Sequence, residues 1–310
     1  MDGFSESHAP ILILAATNRP EALDPAILRP GRFDETIRIE PPDAKARQDM
    51  FCKRLEGKPI DDEVKQALPR LVCRTAGMSP AQLDRILREA CYFAAREHRA
   101  SLSLANLEAA CNLVRYGANR RDMIVPESDK RQTAWHEAGH AVAHLTLFPN
   151  DKLDFVSIIP NEMGALGFAA WRPDESKFTN SFEDYQNRII VALAGREGEK
   201  LCPGAGNAAV NTGISSDSEV ATRLAWQAVS IFGFDDEFGT FNSEAISEGI
   251  QASLAAQIKP RVDALLSACL EKTRELLRAH STRHQAIAEA LVAKEALEGE
   301  EVERIWRGRS

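Results

Sequence analysis

Residues 133–145, TAWHEAGHAVAHL, set three histidines (His136, His140 and His144) in an apolar run of helical spacing. Packing gives a buried helix no reason to gather imidazoles, and Gly139 is a poor helix former. The run therefore points to chemistry rather than to core filling. His136-Glu137-Ala138-Gly139-His140 fits the pattern HExxH. Residues four apart share a helix face, ~40° apart around the axis and ~6 Å along it. Two imidazoles so placed can ligate one zinc ion, and the adjacent Glu137 can take a proton from water held there. The small residues Ala138 and Gly139 are read as room for a substrate to come close. His144 stands ~12 Å from His136 along the axis, too far to join ligands that lie ~2 Å from one ion. It is read as a polar-face histidine or a neighbour of the site.

A ligand six residues beyond His140 would fall on Thr146, so a third must come from elsewhere. Two downstream carboxylates qualify: Glu199 in LAGREGEKL and Asp217 in NTGISSDSEVATRLAW. Asp217 opens an amphipathic helix carrying Val220, Leu224 and Ala228, where an aspartate ordinarily serves as an N-cap or dipole partner. Composition and spacing do not choose between the two.

The bulk numbers bound the answer. A chain of 310 residues can hold two or three domains with at least one sizeable core. Its net charge is −8 and its pI about 5.5, so the basic footprint of a nucleic-acid binder is missing and no such partner is expected. Six cysteines (52, 73, 91, 111, 202 and 269) form no CxxC pair. Most lie in helical-looking stretches, and they are read as buried free thiols in a reducing compartment. The longest apolar run near the start, ILILAA at 11–16, falls far short of the ~18 residues of a membrane span. No secretory leader pattern opens the chain. As written, the chain reads as soluble.

Along its length the pattern is mainly α with minor β. PILILAA at 10–16 reads as a buried parallel strand and TIRIE as another. Residues 43–117 are helical in pattern, with Ser79 as an N-cap and Pro80 at the first helical position. Residues 118–128 read as a linker. DFVSIIP and ALGFAAW look like strands, and from Phe182 the chain is helical apart from a loop at 202–216.

Six segments then carry a resemblance: AATNRPEALDPAILRPGRFD, GMSPAQLDRILREACYFAARE, TAWHEAGHA, SIIPNEMGALGF, ALAGREGEKL and NTGISSDSEVATRLA. In this order they resemble the FtsH-type AAA+ zinc metalloproteases over nearly the whole chain. The resemblance implies three domains. Residues 1–40 would be the C-terminal remnant of an AAA+ α/β core, 41–117 the helical lid, and 118–310 a mostly helical, zincin-like peptidase domain. It implies that His136, His140 and Asp217 ligate Zn2+, that Glu137 is the catalytic base, and that Glu199 stands beside the site. Gly164, Ala165, Leu166, Gly167 and Phe168 would lie along an exposed strand edge that pairs with extended substrate. Asn18 matches the sensor-1 position, and Arg29 and Arg32 match arginine fingers that act on a neighbouring subunit's nucleotide. The implied partners are protein or peptide substrates and a homo-hexamer or full-length FtsH-like subunits. The family is anchored in the bacterial inner membrane or an organelle membrane.

No GxxxxGK[ST] loop occurs, since Gly57-Lys58 is followed by Pro59. MDGF corresponds to a point inside the family's ATPase core. The chain is therefore expected to be a fragment of a longer protease, with ATP/Mg2+ bound only in the full-length architecture. The expected activity is a zinc endopeptidase for unfolded or membrane proteins. The alternative is a non-proteolytic subunit that acts as an assembly module in such hexamers. It draws on the missing nucleotide core and on AGREGEK, where Gly198 is read as weakening the helix and Lys200 as placing positive charge near the metal. Residues 1–40 are expected to expose apolar groups and unpaired edges. The region from about residue 118 is expected to fold alone.

Overall fold

The computed structural model describes residues 12–29, 31–33, 35–120, 123–162, 166–172, 177, 179–204, 212–239, 242–246 and 248–308. The protein is mainly α, with a small sheet late in the chain. The two strands expected near the N-terminus are not formed: residues 12–17 and 35–42 carry no ladder. Leu12, Leu14, Ile37 and Ile39 stand mostly in solvent. A parallel strand needs neighbours on its flanks and cover on its faces, and no described residue pairs with these segments. Between them lie two 3-10 turns, Pro20–Ala22 and Pro25–Leu28, the second capped by Asp24 accepting from the Ala26 amide.

Four helices follow: α1 (Ala44–Leu55), α2 (Asp62–Arg74), α3 (Pro80–Arg96) and α4 (Leu104–Tyr116). Their starts are written in the sequence. Asp43 caps α1, and Ser79 and Ser103 form reciprocal capping boxes with Gln82 and Asn106, satisfying amides that would otherwise lack partners. Phe51, Leu71, Leu83, Ile86 and Leu107 are fully buried in one core.

The rest of the chain builds around α5 (Glu127–Leu147) and α6 (Phe182–Glu199). Between them run β1 (Lys152–Ser157) and β2 (Phe168–Arg172). After them come α7 (Ser215–Ser230), α8 (Glu248–Ala279), α9 (Ser281–Lys294), β3 (Ala296–Glu298) and α10 (Gly299–Trp306). The sheet is antiparallel in the order β2-β1-β3, with Ser157 opposite Phe168 and Lys152 opposite Arg172. β1 is central, which leaves β2 with one edge unpaired among the described residues.

Helices α5 and α6 touch backbone to backbone. A Cβ on Gly139 would lie 2.4 Å from the Ala194 carbonyl oxygen, and one on Gly198 would lie 2.5 Å from that of Trp135. This corrects two sequence readings. Gly198 is the residue that lets the helices meet, not a weakness in α6. Ala138 and Gly139 are buried, so they make room for α6 rather than for a substrate. Trp135, 1% exposed, also anchors α9, because its carbonyl accepts from His284 Nε2–H at 2.8 Å. Among the cysteines the expectation holds for Cys111, Cys202 and Cys269, whereas Cys52, Cys73 and Cys91 are exposed on outer helix faces. No described helix is long and apolar enough to cross a membrane.

Gly139→Ala should cost about 2 kcal/mol or more, since the new methyl meets backbone that cannot rotate away; urea unfolding measures it. Burial lowers the pKa of His284, despite the Trp135 carbonyl, and burial likewise lowers that of His144. At these two histidines the unfolded chain therefore binds more protons than the folded one below about pH 6.5. Their contribution to stability should be intact above that pH and fall on acidification toward pH 5, and His284→Gln should flatten part of the slope in urea midpoint against pH.

Candidate metal centre

One row of α5, Gln132, His136 and His140, faces one row of α6, Glu199, Gly195 and Val191, and the contacts pair them in opposite chain directions. Spacing of four on both helices makes such rows. His140 Nδ1–H donates to the Val191 carbonyl at 2.8 Å, and His136 Nδ1–H donates to Glu199 Oε1 at 2.6 Å. Glu199 Oε2 in turn accepts from Gln132 Nε2 at 3.0 Å. Each imidazole is thereby held in the tautomer whose Nε2 carries a lone pair. Gly195 makes the space: a Cβ there would lie 2.5 Å from both Nε2 atoms.

The third group comes from the first turn of α7. Asp217 Oδ2 lies 3.0 Å from His136 Nε2 and 3.2 Å from His140 Nε2, and the two Nε2 atoms are 3.0 Å apart. Asp217 does not serve as an N-cap, a position held by Ile214. Between the two candidate carboxylates, Asp217 meets the Nε2 atoms and Glu199 supports His136 from the far side of the ring. Three lone-pair donors crowded this closely call for a cation between them. Ligands ~2.0–2.1 Å from a tetrahedral zinc lie ~3.3 Å apart, so the donor triangle fits that ion within a few tenths of an ångström. Among the described residues this is the group of histidine and carboxylate atoms able to hold a metal.

The charges agree with that fit. Burial works to lower the pKa of His136, but hydrogen bonds to Asp217 and Glu199 outweigh it and raise it to about 10. Asp217 is shifted the opposite way: burial alone would raise it, and His136 and His140 hold it well below the usual carboxylate range. The set thus favours positive charge at the Nε2 edge. Glu137, only 5% exposed, has its pKa raised by burial, partly offset by the two histidines.

The other expected site residues fall into place differently. His144 is turned from the centre, its ring stacked on Trp171 at 3.7 Å and Nε2 2.8 Å from Asp151. Lys200 does not crowd the metal centre; its ammonium pairs with Glu197 at 2.6 Å, as Arg274 does at 3.0 Å. Phe168 opens the edge strand β2, Leu166 and Gly167 lead into it, and Gly164 and Ala165 lie outside the described residues. Asn18 and Arg29 are exposed, and Arg32 Nη1–H donates to the Ala26 carbonyl within its own turn. Sequence reasoning missed Gly195, Gln132 and the Val191 carbonyl. A glycine within a helix that aligns with Glu199 and Val191 at spacing four was the available signal for the first.

A helical scaffold that closes an HExxH pair with a carboxylate from a second helix has the donor set of the metal-dependent hydrolases. Residues 123–305 match the model of peptidase family M41, and residues 1–41 match the ATPase family associated with various cellular activities. The chain is 34% identical to the ATP-dependent zinc metalloprotease FtsH of Caldicellulosiruptor bescii, over 98% of this chain and 50% of that protein. It is 34% identical to the protein of that name from Thermotoga maritima, over 98% and 51%. With ATP-dependent zinc metalloprotease FTSH 10, mitochondrial, of Arabidopsis thaliana it shares 32% identity, over 98% and 37%. This chain belongs to peptidase family M41. It spans about half the length of the curated bacterial relatives it matches.

Glu199→Gln keeps the shape but removes the charge behind His136. It should weaken divalent-ion binding roughly 10–100-fold, read by competition titration with a chromogenic chelator.

Proposed function

We propose that this chain is the peptidase-bearing part of an ATP-dependent zinc metalloprotease that hydrolyses peptide bonds of unfolded or membrane proteins. The observation that carries the reading is the meeting of His136 Nε2, His140 Nε2 and Asp217 Oδ2 within 3.2 Å of one another, beside a buried Glu137. These three side chains would hold Zn2+, which when bound supplies Lewis acidity and lowers the pKa of water.

Glu137 then acts as general base: it takes the proton of the attacking water and passes it to the departing amine. Burial raises its pKa toward the working range. Asp217 and Glu199 offset the positive charge of the centre, and Val191 and Glu199 hold both imidazoles in the ligating tautomer. Gly164, Ala165, Leu166, Gly167 and Phe168 would receive the substrate as an added strand, at the β2 edge that has no ladder among the described residues. Backbone hydrogen bonds read extension rather than side chains, which suits broad specificity.

The remaining roles follow the same family logic. Residues 1–40, 41–117 and 118–310 would be ATPase-core remnant, lid and peptidase. Asn18, Arg29 and Arg32 would serve a nucleotide bound by a neighbouring subunit, with ATP/Mg2+ and the membrane anchor belonging to full-length hexamer subunits. The complete donor set, with Lys200 neutralised by Glu197, favours this reading over a non-proteolytic assembly role.

Zinc-loaded protein should cleave casein, and Glu137→Gln should retain zinc while the rate falls about 10²–10⁴-fold. Asp217→Asn should lose the ion. Equal cleavage by wild type and Glu137→Gln would remove the mechanism.

A further inference from the structure

Strand β2 begins against the base. A Cβ built on Gly167 would lie 2.9 Å from Glu137 Oε1 and Cγ, and 2.7 Å from the Thr133 methyl. The backbone at 167 therefore forms one wall of the Glu137 pocket, and its height sets where the carboxylate stands. Something must hold that backbone there, because among the described residues β2 has a ladder on one side only.

The holder comes from the α1–α4 module. Tyr116, the last residue of α4, lies 4.9 Å from the ring of Phe168 and 5.4 Å from that of Phe155, and those two rings are 5.2 Å apart. Each residue belongs to a different element: α4, β2 and β1. Tyr116 is itself anchored, since its neighbour Arg115 donates to the carbonyls of Arg74 at 2.7 Å and Ala76 at 3.1 Å. The far end of β2 is tied to the same module. Arg172 Nε lies 2.7 Å from Asp154 Oδ1, whose other oxygen faces Arg74 at 3.8 Å, with Arg74 and Asp154 nearly fully buried. Both ends of the strand beside the base thus bear on the helices of residues 44–116.

We propose that Tyr116 and Phe168 are positioning residues for Glu137: their ring contact, completed by Phe155, seats the Gly167 backbone against the carboxylate. The seat makes β2 the physical link through which a shift of the α1–α4 module reaches the base. The proposal rests on the reading of Glu137 as the base. Aromatic clusters of this geometry are specific in orientation, and displacement of a reacting group by about 1 Å costs roughly 10²-fold in rate.

The test uses the full chain loaded with zinc alone. Tyr116→Ala and Phe168→Ala should each keep one zinc per chain and lower kcat on casein about 10²-fold. Hydrogen exchange of the 166–172 segment should quicken about tenfold in both. The double variant should be no worse than either single variant, and Tyr116→Phe, which keeps the ring, should restore both rate and protection. Unchanged exchange in the alanine variants, additive losses in kcat, or a Tyr116→Phe variant as damaged as Tyr116→Ala would overturn the proposal. If Glu137→Gln leaves wild-type cleavage untouched, the peptidase reading fails instead, while the exchange measurements still report whether the rings hold the strand.

Discussion

The close approach of α5 to α6 is the constraint on which the rest of the structure depends. Helices ordinarily pack 8–10 Å apart because side chains stand between them. Here Gly139, Gly195 and Gly198 remove those side chains at successive points of the contact, and backbone and imidazole occupy the space. The same approach supplies chemistry. Only at this separation does the Val191 carbonyl reach His140 and Glu199 reach His136. Packing and tautomer control are one feature, and a methyl group at any of the three glycines acts on both.

Electrostatics divides the work among the acids of the region by direction of approach. Asp217 arrives at the Nε2 side of the imidazoles, where a metal or proton resides, and Glu199 arrives behind His136. Glu137 sits on the HExxH helix between the two histidines and is nearly closed from water. A fourth acid, Glu197, is spent on Lys200 and Arg274, which keeps those cations from competing for the donor set. Four carboxylates within one helix–helix region therefore take four roles through placement alone.

The start of α3 was legible in the sequence because capping is local: Ser79 binds an amide three residues away. The HExxH face was legible because the helical period brings residues four apart together. The N-terminal strands were misread for the same kind of reason. PILILAA and TIRIE have strand-like composition, but a strand exists only with a partner, and partnership is not a local property. Gly198 and Lys200 were misjudged because propensity and charge were weighed without knowledge of Trp135 and Glu197, distant in sequence or turned by the helix toward them.

By itself, the sequence marked the candidate donors that lie within one helix, the start of α3 at Ser79, and, through the order of its motifs, a resemblance to the FtsH-type metalloproteases. Composition and spacing left open which of two carboxylates joins them, and the resemblance implied Asp217. The meeting itself belongs to the tertiary structure, because Asp217 is 77 residues from His140 and only the packing of α7 beside the α5–α6 pair brings its oxygen to the imidazole edge. A helix carries its own hydrogen bonds and so announces itself in a few residues. A three-helix donor set is held by contacts between surfaces, and those exist only once the chain has folded.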